Sequence, residues 1–170
     1  MRQDTIRFNL LALLGALLLF VLIVIYLGPA LLNKDPLWFM PFNETPQRII
    51  VYRGGKQLIL TPGDPRFADM TRAINRSLSR ISTIDMLGPS KETIAEYRAQ
   101  ETCVEVLYPK MVKLKSNLGV GEASAILIPL TGLHTERPHI FTGTWEMYMA
   151  GSPIVRDLSP VRQAVDNLIF

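Results

Sequence analysis

The chain has 170 residues, of which 48% are hydrophobic and 19% charged, with a formal charge of +3. That length holds one ordinary domain plus a small segment, and the apolar content excludes a disordered chain. One cysteine excludes a disulfide framework and a cysteine-based zinc or iron–sulfur site within one chain.

Residues 1–7 read as a short tail carrying Arg2 and Arg7. Residues 8–32 are expected to form a single transmembrane helix. Its centre, Leu10 to Leu27, is free of charge, and 14 of those 18 residues are Leu, Ile, Val or Phe. Each such residue favours insertion by about 0.3–0.6 kcal/mol. The 18 residues rise about 27 Å as a helix, and their apolar flanks complete a bilayer crossing. Gly28-Pro29 is expected to kink or end the helix, with Trp38, Phe39 and Phe42 at headgroup depth. A cleaved signal peptide has an apolar run of about 7–15 residues before a small-x-small site. Here the run is longer, and Pro29 spoils the site, so an uncleaved anchor is expected. Arg2 and Arg7 precede the span, whereas Lys34 after it is offset by Asp35. The positive-inside bias then places the N-terminus in the cytoplasm and the C-terminal domain outside the cell membrane. Ala12, Gly15 and Ala16 offer a small-residue face for helix packing within the membrane.

Residues 33–46, with three prolines, read as a linker near the membrane surface, and residues 47–170 as an extracytoplasmic domain. Gln47 to Thr61 has the pattern of a β-hairpin turning at Gly54-Gly55. Asp64 and Pro65 are placed to start a helix, and Phe67, Met70, Ile74, Leu78 and Ile81 form its apolar stripe. Arg72, Arg76 and Arg80 form a cationic ridge at i, i+4 and i+8. Ser82 to Pro89 reads as a loop, and Ser90 as the cap of a short helix to about Gln100. Thr102 to Tyr108 alternates, with Val104, Val106 and Tyr108 on one face and Cys103, Glu105 and Leu107 on the other. After Pro109, Met111 to Lys115 predicts another strand, with Lys113 and Lys115 facing water and guarding an edge. Ala123 to Thr131 is the expected central strand. His139–Thr142, Trp145–Met149 and Ile154–Val155 are expected short strands. Ser159 and Pro160 are expected to cap a final helix with a Val161, Ala164, Val165 and Leu168 stripe. The fold class expected is α+β: a mainly antiparallel sheet with two or three helices packed on one face.

No nucleophile, metal or phosphate motif stands out. His134 and His139 flank Thr135-Glu136-Arg137-Pro138, a spacing that no helical ligand pair has, and read as solvated loop histidines. Cys103 shares a strand face with Glu105, and an anionic neighbour suppresses a thiolate. Glu92, Glu96, Glu101 and Glu105 carry no visible pairing. No catalytic residue, metal or cofactor is expected. After the span, 18−2=16 cations face 15−1=14 anions, which speaks against nucleic-acid binding. The expected function is a non-enzymatic, membrane-anchored interaction protein, an accessory subunit of a membrane complex or an envelope sensor component. Its partners are the lipid bilayer and a membrane protein. A ligand- or lipid-binding domain is the alternative, and a membrane-anchored hydrolase the second.

Overall fold

A computed structural model describes residues 10–133, 135–145, 147–149 and 151–169. The chain has the α+β class: an apolar N-terminal helix, then a mainly antiparallel sheet with three further helices. Helix α1 (Leu10–Asn33) is long and apolar enough to cross a membrane, and none of its apolar window is buried within the chain. Such a helix serves either as a membrane anchor or as a signal sequence. It neither ends nor breaks at Gly28-Pro29 but runs on through Pro29. Its end is a Schellman turn: Asp35 N donates to Ala30 O at 3.0 Å, and Lys34 N to Leu31 O at 3.2 Å. Lys34 takes the left-handed position, at φ 49°.

Strands β1 (Arg48–Arg53) and β2 (Lys56–Leu60) form the expected hairpin. Gly54 and Gly55 lie at φ 54° and 79°, so both central turn residues need positive φ, as in the primed hairpin turns. Helix α2 (Phe67–Leu78) starts later than Asp64 predicts. Asp64 Oδ1 accepts from Arg66 N at 2.8 Å, closing a turn ahead of the helix rather than capping it. The helix also ends at Leu78, so Ile81 belongs to the next element. Strand β3 (Ile81–Asp85) occupies part of the expected Ser82–Pro89 loop. Local sequence hides it, because its polar residues are stabilised by pairing with a strand some 70 residues away.

Helix α3 (Lys91–Gln100) is capped by Ser90 Oγ, which accepts from Thr93 N at 3.1 Å. Strand β4 (Thr102–Lys113) passes through Pro109 instead of stopping there. Its partner β5 (Glu122–Pro129) advances two residues, Ala125 to Ala123, while β4 advances five, Leu107 to Val112. The extra residues bulge out around Pro109, which cannot donate to the ladder. Strands β6 (Phe141–Thr144) and β7 (Met147–Tyr148) complete the main sheet in the order β2-β1-β4-β5-β6-β7, so β5 lies inside it as expected. Strand β8 (Ser152–Val155) leaves that sheet to pair with β3. Helix α4 (Ser159–Asp166) closes the domain. Ser159 is its first residue rather than its cap. The N-cap position is Leu158, which has no capping side chain, and the Asp157 carboxylate just before it accepts from Ser159 N at 2.7 Å and from Ser159 Oγ at 2.8 Å.

Strand alternation sorts the core into two layers. Ile49, Val51, Val104, Val106, Ile126 and Ile128 meet the apolar stripes of α2 and α4. Ile50, Tyr52, Cys103, Ala125, Leu127 and Phe141 face the opposite way, against Ile94 and Tyr97 of α3. Two helices thus share one face as expected, and the third covers the other.

Candidate functional site

The end of α1 is bound to the domain. Lys115 Nζ donates to Asp35 Oδ2 at 2.8 Å, and Lys113 Nζ to the Lys34 carbonyl at 3.0 Å. These lysines therefore do not guard a solvated edge; they hold the start of the linker. The ammonium of Lys115 keeps the Asp35 carboxyl below the usual carboxylate range. The linker then doubles back along α1. Tyr26 Oη donates to Pro36 O at 3.1 Å, Trp38 Nε1 donates to Tyr26 O at 3.3 Å, and the Phe39 ring lies 6.4 Å from that of Tyr26. Tyr26 lies seven residues before Asn33, or about 10 Å back along the helix axis.

Phe42 closes the linker onto the domain. It is 2% exposed, stands edge-on to Tyr108 at 6.0 Å, and donates its N–H to Ser79 Oγ at 2.9 Å. Between the linker and α2 runs a groove of about 480 Å³ lined by Met40, Phe42, Asn43, Arg72, Asn75 and Arg76, among others. It continues past Asn43, Arg72 and Asn75 into a second hollow of about 350 Å³ that also includes Thr45 and Thr71. Asn75 Nδ2 donates to Glu44 O at 3.0 Å. Asn75 Oδ1 and Thr71 Oγ1 are buried and have no hydrogen-bond partner among the described residues.

The arginine ridge meets this groove with two of its members. Arg72 and Arg76 line it and are exposed, and Arg72 also pairs with Asp69 at 3.0 Å. Arg80 lies beyond the helix end, in the turn to β3, where its carbonyl accepts from Arg156 N. Backbone and side-chain bonds from Ser159, with the fields of Arg76 and Arg80, lower the Asp157 carboxyl. Ala12, Gly15 and Ala16 are exposed on α1, and a Cβ on Gly15 meets nothing within 4 Å.

The strongest polar cluster is one that the sequence shows only as a stray charge. Glu105, fully buried, accepts from Arg98 Nη2 at 2.5 Å, Tyr148 Oη at 2.5 Å and Tyr52 Oη at 3.2 Å. Arg98 lies 5.8 Å from the Trp145 ring centre. Burial pushes the Tyr52 hydroxyl up to about 12 and raises that of Tyr148 as well. Cys103, also fully buried, is pushed up to about 12 by burial and by Glu105. Such a thiol stays protonated at neutral pH and is no nucleophile. Glu92 and Glu96 lie exposed on α3, and Glu101 accepts from Thr131 Oγ1 at 2.6 Å. The cluster's architecture bolts α3 to the sheet rather than opening to a substrate. The lone acid on an apolar strand face was the one available signal for it.

His139 is not a solvated loop residue. It is 4% exposed, its Nε2 lies 3.2 Å from Asp85 Oδ2, and its Nδ1 lies 2.9 Å from Arg137 O. Both of these partner atoms are hydrogen-bond acceptors. The His139 bond lowers the Asp85 carboxyl. A cleft of about 450 Å³ borders this pair. His134 lies outside the described residues, and among the described residues no three His, Cys, Asp or Glu side chains gather as metal ligands. Comparison of the chain with family models, with curated proteins and with solved structures gave no match.

Proposed function

We propose that this chain is a single-pass, membrane-anchored interaction protein of non-enzymatic type, whose extracytoplasmic domain works as an accessory part of a membrane complex. The observation that carries this reading is the fastening of α1 to the domain through Lys115–Asp35, Lys113–Lys34 and the folded-back linker. A tethered enzyme acting on soluble substrates gains little from a fixed pose. A module that recognises a neighbour in the same membrane gains orientation and effective concentration from it. The exposed Ala12, Gly15 and Ala16 give α1 a face on which another helix can approach closely.

The test is isolation of the full chain from its native membranes in mild detergent, with quantification of what remains bound. A stoichiometric membrane-protein partner, weakened by Gly15→Leu, is the expected result. Recovery of the chain alone from an otherwise intact membrane extract would overturn the reading. Protease treatment of sealed vesicles checks orientation, since the proposed pose puts residues 47–170 on one side and the tail on the other.

A further inference from the structure

We propose that the groove between the linker and α2 binds the headgroup of an anionic, hydroxyl-bearing phospholipid. The inference rests on α1 spanning a bilayer, as proposed above. Its first support is depth. Trp38 and Phe39 lie back beside Tyr26, about 10 Å below the end of α1 by helix rise. Aromatic residues at such positions settle at the boundary between hydrocarbon and headgroups. Met40, the next residue, lines the groove and is itself 47% exposed. The groove mouth therefore opens in the headgroup layer, where phospholipid is the most abundant ligand.

Its second support is the chemistry of the lining. Arg72 and Arg76 stand one helical turn apart on the groove wall, and guanidinium groups match phosphate oxygens with paired N–H donors. Asp69 and Asp157 offset part of this charge, and Arg80 adds to it from the following turn. Behind the wall, the Thr71 hydroxyl and Asn75 Oδ1 lack partners among the described residues. A phosphodiester accepts from the threonine hydroxyl, and a headgroup hydroxyl donates to the asparagine oxygen. Met40, Pro41 and Phe42 give the acyl end an apolar border continuous with the membrane segment.

The test places the full chain in nanodiscs of phosphatidylcholine alone or with phosphatidylglycerol at about one lipid in three. Hydrogen exchange is then followed at residues 40–45 and 71–79. The expected result is slower exchange there, by about threefold or more, in the anionic discs only. The R72Q/R76Q double variant is expected to enter the discs and melt like the parent but to lose that protection. Equal exchange in both discs would overturn the proposal, as would full protection in the double variant. Protection in phosphatidylcholine discs by added sn-glycerol 3-phosphate alone would overturn the membrane source of the ligand. Failure of the chain to enter discs would overturn the anchored reading and this site together. Entry without lipid-dependent protection would overturn this site alone.

Discussion

Glu105 shows how a single side chain can be costly and still retained. A buried carboxylate is tolerated only when its lone pairs are met, here by one guanidinium and two phenols. Removing one partner leaves a buried charge, so Arg98→Ala is expected to cost about 3–5 kcal/mol in denaturant unfolding. The pair Arg98→Met with Glu105→Leu is expected to recover most of it, which a double-mutant cycle would measure. Gly143 is the second sensitive position. A Cβ there would lie 2.1 Å from Met147 O and 2.7 Å from Tyr148 Cα, both backbone atoms of the neighbouring strand. Gly143→Ala is expected to detach β7 and loosen Tyr148 from Glu105, visible as faster exchange at residues 141–148. Cys103 is expected to resist thiol reagents in the native state and to react fully in denaturant. The apolar strand face around Glu105 was legible in the sequence. Its partners were not, because Tyr52 and Tyr148 reach it from strands far away along the chain.

Helix α2 illustrates what a stripe of residues can and cannot say. Its buried face was legible from the spacing of Phe67, Met70, Ile74 and Leu78, since a 3.6-residue period repeats along one side. Its ends were not, because Asp64 serves a turn and the Ile81 backbone finds a strand partner in Val155. The exposed arginines contribute little to folding. Replacing Arg72, Arg76 and Arg80 by Gln is expected to change stability by less than about 1 kcal/mol. The Lys115–Asp35 contact is different, since it joins two elements. The Asp35 carboxyl is held below its ordinary value in the folded chain. Its contribution is therefore complete above the ordinary carboxylate range and is lost as pH falls through the lowered value. Asp35→Asn is accordingly expected to lower the melting temperature at neutral pH and to shrink its fall on acidification, as compared by calorimetry with the parent.

On the level of the entire chain, the linker is part of the domain rather than a tether. Phe42 and Pro46 are both buried, and Phe42 belongs to the same apolar cluster as α2 and β4. A soluble fragment beginning at Pro46 lacks Phe42, a loss worth about 3–5 kcal/mol when a phenylalanine leaves a core. A fragment beginning at Met40 is expected to unfold at distinctly higher denaturant concentration than one beginning at Pro46. The sequence alone determined the apolar helix, the hairpin, the α2 and α4 stripes, and the two-faced alternation of β4. Each is a local period or turn requirement, written in neighbouring residues. Only the tertiary structure decided that β3 pairs with β8, that Lys113 and Lys115 hold the linker, that Glu105 is met by four-element packing, and that Arg72 and Arg76 share a groove with Met40. Those contacts join residues tens of positions apart, and their register depends on which surfaces remain to be buried once the local elements have formed.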